Sequence, residues 1–122
     1  MDMDNKVDTE IISEGSVAVV AFNATSISNI ERIVAADRQI REFVEENRPA
    51  GIVFDFSGVK FFSSQALGLI LNIRAMVTAY GGEVVISAIN PQLHRVFKIT
   101  NLDKVFRFFP DREGATTAVG SL

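Results

Sequence analysis

Short apolar runs alternate along the chain with longer segments in which apolar residues recur at helical spacing. The short runs are rich in β-branched residues, which favours strands, and they lie at 7–12, 17–22, 51–56, 83–89 and 104–109. The longer segments predict helices at 29–48, 64–80 and 91–99, with a short terminal helix at 111–119. The predicted order is therefore β-β-α-β-α-β-α-β with a final helix.

The predicted helices have recognisable ends. Ser28 is the expected N-cap of the first helix, because Glu31 follows three residues later and completes a capping box. The pair Gly81-Gly82 ends the second helix, and Asn90-Pro91 is a favourable start for the third. The apolar positions expected to form the buried face of the first helix are Ile30, Ile33, Val34, Ile40, Phe43 and Val44.

Strands that alternate with helices predict right-handed crossovers and a mostly parallel sheet. The turn at 14–16 between the first two strands predicts a hairpin. A chain of 122 residues suits one domain. We therefore predict an α/β fold with a mostly parallel central sheet, an N-terminal β-hairpin and about four helices. The single domain is expected at 7–119, after a disordered tail at 1–6.

Composition narrows the classes of partner. The net charge is −3 and the basic residues are scattered, so the basic stripe of a nucleic-acid-binding protein is missing. Cysteine is absent, which fits a reducing compartment. The first ten residues are acidic and polar, unlike a signal peptide, and no apolar run approaches the about 20 residues that cross a bilayer. We expect a cytoplasmic protein without nucleic-acid binding or membrane insertion.

The sequence does not predict an active site. His94 is the single histidine, and on the third predicted helix it is expected to be a surface or partly packed side chain. Asp55 lies inside a buried strand, where we expect it to accept hydrogen bonds from the loop that follows. Without a Walker motif or a cluster of metal ligands, the sequence predicts no catalysis, metal or cofactor.

Two serines, Ser63 and Ser64, lie just after the predicted strand 51–56, at the start of an apolar helix. In parallel sheets, functional sites form at the carboxyl ends of strands. One serine can simply be an N-cap. Alternatively, a phosphate at this position would be stabilised by the unpaired N–H groups and the positive end of the helix dipole. The residues alone leave both interpretations open.

From Ile52 to Phe109 the chain resembles the STAS family, which includes domains of sulphate transporters and anti-sigma factor antagonists. The pieces that carry the resemblance are IVFDFSGVKFFSSQALGLIL and YGGEVVISAINPQLHRVFKITNLDKVFRF. The first piece resembles the family pattern of a buried strand, a loop and D-S-[ST]-G-L-G opening a helix. The chain is most similar to stand-alone anti-anti-sigma factors, which implies a STAS-like fold.

The resemblance implies a phosphorylated serine at Ser64, with Ser63 as the alternative. Ser63, Gln65 and Ala66 stand where the family has Asp, Ser or Thr, and Gly. The implied partner is an anti-sigma factor with GHKL-type serine kinase activity, which binds the unphosphorylated domain and so frees a sigma factor. Phosphorylation would break the complex and a phosphatase would restore it.

The resemblance also implies a partner-binding surface around the serines. Its expected residues are Thr25, Ser26, Ser28, Asn29, Phe62, Ser63, Ser64, Gln65, Asn90 and Pro91. Phe61 is expected in the core, and Phe62 either in the core or on the docking face. An alternative function is a STAS scaffold that titrates no sigma factor, or a transporter-associated STAS subunit. A third is a small-ligand carrier that uses the apolar mouth near Phe62.

Overall fold

The computed structural model describes residues 9–120. The predicted tail at 1–6, and the first two residues of the predicted strand at 7–12, lie outside the described residues. Seven strands are present in the described part of the chain: Thr9–Glu14 (β1), Val17–Phe22 (β2), Ser26–Ile27 (β3), Gly51–Asp55 (β4), Phe61–Phe62 (β5), Glu83–Ser87 (β6) and Phe108–Phe109 (β7). The α-helices are Ile30–Asn47 (α1), Ser64–Ala79 (α2), Pro91–Ile99 (α3) and Arg112–Gly120 (α4).

The main sheet has five strands in the order β1-β2-β4-β6-β7. The hairpin partners β1 and β2 are antiparallel, with Thr9 opposite Phe22 and Glu14 opposite Val17. The pairs β2–β4, β4–β6 and β6–β7 are all parallel. The predicted mostly parallel sheet with an N-terminal hairpin is confirmed.

Helices cover both faces of this sheet. The larger apolar cluster joins one face of the strands to buried residues of α1, α2 and α3, and the smaller cluster joins the other face to Ala115 and Val119 of α4. All five residues of β4 are therefore buried, as its nearly continuous apolar run predicts. At Gly51 the approach of α4 is so close that a β-carbon would lie 1.8 Å from Val119 Cγ1. A larger residue at this position would push α4 away from the sheet.

The start of α1 differs from the prediction. Asn29 is the N-cap, because its backbone is extended and its Oδ1 accepts a hydrogen bond from the Arg32 backbone N–H at 3.0 Å. The Ser28 hydroxyl instead lies 3.2 Å from that of Ser26. The prediction of Ser28 as N-cap is therefore wrong by one residue.

The buried face of α1 is also narrower than expected. It consists of Ile33, Ala36, Ile40 and Val44, which follow one another at steps of three or four residues. Ile30 and Val34 lie on the neighbouring stripe and are 60% and 53% exposed. Their assignment to the buried face is wrong.

Two predicted strands are shorter than expected. The strand at 83–89 ends at Ser87, because Ala88 has a φ of 56° and cannot continue extended backbone. The strand at 104–109 is reduced to Phe108–Phe109, after a 3₁₀ helix at Leu102–Lys104. The chain turns at Asn101, whose φ is 64°. It reaches the edge of the sheet only at Phe108 and Phe109.

Within residues 9–120, no helix has the combination of length and hydrophobicity that a bilayer-spanning segment needs.

Candidate functional site

The two serines have different roles at the start of α2. Ser63 is the N-cap: its backbone is extended and its Oγ accepts a hydrogen bond from the Ala66 backbone N–H at 3.3 Å. Ser64 is the first residue of the helix and is exposed, as is Gln65. The first turn of α2 carries no acidic residue. Ser63 therefore caps the helix, whereas Ser64 faces solvent at the positive end of the helix dipole.

A second, two-stranded sheet brings the segment 25–29 beside these serines. Strands β3 and β5 pair in parallel, with Ser26 opposite Phe61 and Ile27 opposite Phe62. The Thr25 carbonyl accepts hydrogen bonds from the backbone N–H groups of Lys60 at 2.7 Å and Phe61 at 3.1 Å. The Ser63 N–H donates to the Ile27 carbonyl at 2.9 Å. The predicted residues Thr25, Ser26, Ser28 and Asn29 therefore lie next to the N-terminus of α2.

The start of α3 is fixed to the same region through Asn90. Its Oδ1 accepts the Leu93 backbone N–H at 2.9 Å, and Pro91 is the first helical residue, so the predicted cap is confirmed. The Asn90 side-chain amide also donates to the Val59 carbonyl at 3.1 Å, in the segment between β4 and β5. Segments 25–29, 63–65 and 90–91 together form what we call the serine surface.

One of the adjacent phenylalanines is exposed and the other is buried, so the core alternative holds for Phe62 and not for Phe61. Phe61 is 53% exposed, whereas Phe62 is 7% exposed, because successive side chains in a strand point to opposite faces. The core assignment of Phe61 is wrong. The Phe62 ring packs edge to face against the rings of Phe56 and Phe97, with centroid distances of 5.6 Å and 5.8 Å. Phe62 therefore supports the serine surface from beneath, while Phe61 extends it with an apolar side chain.

A half-buried ion pair, in which the carboxylate is buried and the Arg112 side chain is 40% exposed, lies at the carboxyl ends of β4 and β6. Asp55 is 3% exposed; it accepts a hydrogen bond from the Ser87 hydroxyl at 2.9 Å and is paired with the Arg112 guanidinium of α4 at 2.7 Å. Its partners therefore come from β6 and α4, and not from the following loop as expected. This network attaches α4 to the sheet at the same end as the serine surface.

The remaining candidates for catalysis or metal binding are His94 and the acidic residues. His94 packs on the Phe108 ring at a centroid distance of 4.2 Å, and it is partly buried as predicted. In the part of the chain that the structure describes, no three His, Cys, Asp or Glu residues are placed to hold a metal ion. The fold and the site define a small α/β domain with an exposed serine on a polar surface.

The comparisons with known proteins agree with this class. The STAS domain family matches residues 10–115, and the chain belongs to this family. The resemblance noted for residues 52–109 thus extends over nearly the whole domain.

Several similar proteins are named as anti-sigma factor antagonists. A curated protein of Paenibacillus polymyxa named anti-sigma F factor antagonist is 27% identical over 79 residues, which cover 65% of this chain and 68% of that protein. The crystal structure of an anti-sigma factor antagonist from Mycobacterium paratuberculosis matches with a TM-score of 0.79 and 25% identity, covering 98% of both chains. The phosphorylated form of the Bacillus cell fate determinant SpoIIAA matches with a TM-score of 0.75 and 16% identity, over 91% of this chain and 98% of that one.

Sequence reasoning missed two features of the site. Arg112 was not predicted as the partner of Asp55, although a buried carboxylate signals that a cation or several donors must lie nearby. The β3–β5 pair was not predicted, because two-residue strands carry no periodic signal.

Proposed function

We propose that this chain is an anti-sigma factor antagonist that is switched off by phosphorylation of Ser64. In its unphosphorylated form the serine surface binds an anti-sigma factor, which is also a GHKL-type serine kinase, and so releases a sigma factor. The kinase supplies the ATP site, a separate phosphatase reverses the reaction, and the chain itself performs no catalysis. The observation that carries the proposal is an exposed serine at the start of a capped helix in a STAS domain.

The choice of Ser64 over Ser63 rests on their different contacts. The Ser63 hydroxyl accepts the Ala66 N–H, and modifying it would disturb a cap that contributes about 1 kcal/mol. Ser64 is exposed on the first helical residue, so a kinase can reach its hydroxyl without unwinding α2. The Bacillus SpoIIAA structure shares the fold at 16% identity, and the choice of serine is therefore argued from this chain's own contacts.

A phosphate on Ser64 would be compatible with the folded domain. The first turn of α2 has no acidic residue that would repel it, and negative charge near a helix N-terminus is favourable by about 0.3–1 kcal/mol. The phosphate would add close to two negative charges to the serine surface. A partner that has packed against this surface would have to desolvate those charges. Phosphorylation of Ser64 would therefore weaken partner binding without unfolding the domain.

Exposed apolar side chains next to the serine surface provide hydrophobic area that a protein partner can bury. Phe61 is 53% exposed beside Ser26, and Ile30 is 60% exposed at the start of α1. Exposed large apolar side chains near a polar rim are typical of protein-binding surfaces. We expect Phe61 to contribute more to binding than the buried Phe62, which was predicted as a contact.

The test is phosphorylation of the purified chain by the GHKL-type kinase encoded nearest to its gene. Wild type, Ser63→Ala and Ser64→Ala are incubated with the kinase and ATP, and the modified residue is located by mass spectrometry. We expect phosphate on wild type and Ser63→Ala, and none on Ser64→Ala. Phosphate that persists on Ser64→Ala and disappears from Ser63→Ala would place the switch on the wrong serine. No phosphate on any variant would remove the switch.

A further inference from the structure

A group of exposed basic and aliphatic residues lies at the C-terminal end of α3 and on the 3₁₀ helix that follows. Arg95 and Lys98 are both exposed and stand three residues apart on α3, so they share one face of the helix. Ile99, the last residue of α3, is 73% exposed. Lys104 and Val105 are exposed at the end of the 3₁₀ helix. We call these five residues the basic patch.

Packing and hydrogen bonds hold the two parts of the basic patch together. The helix α3 contacts the 3₁₀ helix, and in the turn between them the Thr100 and Asn101 backbone N–H groups donate to carbonyls of α3. Beneath the turn, the Phe97 and Phe106 rings pack edge to face with a centroid distance of 5.8 Å. The Arg74 guanidinium of α2 lies 5.8 Å from the centroid of the same Phe106 ring. This contact brings a further positive charge close to the patch.

The positive charge of the basic patch is not neutralised by ion pairs. Its basic residues form no salt bridge in the part of the chain that the structure describes. Asp103 is the single acidic residue in the segment 91–109. Glu83, on the neighbouring strand β6, is already paired with Arg107 at 2.7 Å. The patch therefore keeps a net positive charge in a chain whose net charge is −3.

The acidic side chains at the end of α1 are too far from the patch to cancel this charge. Glu42, Glu45 and Glu46 belong to the crossover between β2 and β4, whereas α3 is the crossover between β6 and β7. The crossover helix α2 lies between them, and packed helices are about 8–10 Å apart. The separation of about 20 Å exceeds the Debye length of about 8 Å at physiological salt.

The composition of the basic patch indicates what kind of surface it fits. Protein interfaces are enriched in aromatic residues and Arg and depleted in Lys, but here two of the three basic residues are lysines and the exposed apolar residues are Ile99 and Val105. An anionic lipid surface attracts Lys and Arg alike. Aliphatic side chains between the charges can enter the headgroup region while the long basic side chains remain at the phosphates.

We propose that the basic patch binds the anionic headgroups of a phospholipid membrane, with Ile99 inserted between the headgroups and Lys98 and Lys104 on their phosphates. The contact is peripheral and needs no bilayer-spanning helix. The helix α3 begins at the serine surface, and its nine residues place the patch about 13 Å further along. The patch therefore stays accessible when a partner covers the serine surface, and its function does not depend on phosphorylation of Ser64.

The first experiment tests the charge of the patch by sedimentation of the full chain with vesicles. We expect binding to vesicles of equal parts of phosphatidylcholine and phosphatidylglycerol and none to phosphatidylcholine alone. Binding should fall at least about tenfold in about 1 M salt, where the Debye length is about 3 Å. The double variant Lys98→Gln, Lys104→Gln should weaken binding about 25-fold, since each basic residue contributes about fivefold, which corresponds to about 1 kcal/mol.

A matched double variant controls for the change in net charge. Arg38→Gln, Lys60→Gln removes the same two charges at exposed positions outside the patch, and it should change vesicle binding by about twofold or less.

The second experiment tests the apolar contact. Ile99→Ser should weaken binding to the anionic vesicles about fivefold in dilute salt and by a similar factor at higher salt, because burial of apolar area is not screened by ions. Val34→Ser is the control, because Val34 is an aliphatic residue on α1 that is 53% exposed, and it should bind like wild type. Circular dichroism shows that each variant compared is folded.

Several results would overturn the proposal. They are equal binding to neutral and anionic vesicles, no binding to anionic vesicles in dilute salt, and equal losses in the two double variants. NMR shifts of Lys98 and Ile99 with poly-glutamate, but not with the vesicles, would assign the patch to an acidic protein instead of a membrane. All of these measurements use the chain without a kinase, so the proposed antagonist function is tested separately.

Discussion

Two neighbouring phenylalanines should respond in opposite ways to truncation. Phe62 is 7% exposed and its ring contacts Phe56 and Phe97. Removing a buried Phe side chain costs about 3–5 kcal/mol, because the transfer free energy is lost and a cavity remains. Phe61 is 53% exposed. Since full burial of Phe stabilises by about 1.5–3 kcal/mol, the half-buried Phe61 contributes about 0.7–1.4 kcal/mol.

Urea unfolding followed by circular dichroism measures both effects. With an m-value of about 2 kcal/mol per molar urea, Phe62→Ala should lower the unfolding midpoint by roughly 2 M, and Phe61→Ala by about 0.7 M or less. Binding of the proposed partner kinase to the two variants at low temperature gives the complementary readout. We expect Phe61→Ala to weaken binding while remaining folded. Equal losses of stability in the two variants would refute the assignment of one ring to the core and the other to the surface.

Two further predictions concern helix α1 and the Asp55–Arg112 ion pair. Asn29→Ala should destabilise the domain by about 1 kcal/mol in thermal unfolding, because it removes the N-cap of α1. Ser28→Ala, measured in the same way, should have little effect. A larger loss of stability in Ser28→Ala than in Asn29→Ala would show that Ser28 is the cap. Arg112→Ala should cost about 1–3 kcal/mol, because Asp55 then keeps the Ser87 hydroxyl as its side-chain donor in the described part of the chain, while the 40% exposure of Arg112 means that the pair is partly screened by solvent. Arg112→Ala combined with Asp55→Asn should recover part of this loss in urea unfolding, and no recovery would mean that α4 is held by packing alone.

The main sheet follows closely from the sequence because its signals are strong. The runs at 17–22 and 51–56 are nearly all apolar, and a parallel strand covered on both faces requires that pattern. The start of α3 was also predictable, since Asn at the N-cap and Pro at the first position act through local backbone chemistry. The position of the two serines follows from the same logic, because α2 must begin after the carboxyl end of β4.

The details that the sequence did not reveal depend on tertiary contacts. Ser28 and Asn29 are both good N-caps, and in the structure Asn29 caps the helix while the Ser28 hydroxyl contacts that of Ser26. The buried face of α1 includes the small Ala36, while Val34 lies outside it and is exposed, which depends on how the whole helix is rotated against the sheet. The β3–β5 pair forms from backbone hydrogen bonds to the Thr25 carbonyl, which no side-chain pattern can signal.

The central claim, that negative charge at Ser64 releases a partner from an intact domain, is tested most directly by comparing kinase binding to three proteins. Isothermal titration calorimetry compares wild type, Ser64→Glu and Ser16→Glu. Ser16 is an exposed serine that precedes the amino end of β2 and so lies at the opposite end of the sheet.

We expect Ser64→Glu to weaken binding about a hundredfold, since placing an unpaired charge in an interface costs several kcal/mol. Ser16→Glu should bind within twofold of wild type, and both variants should unfold within about 1 kcal/mol of it. Wild-type affinity in Ser64→Glu, measured on a folded protein, would contradict the account.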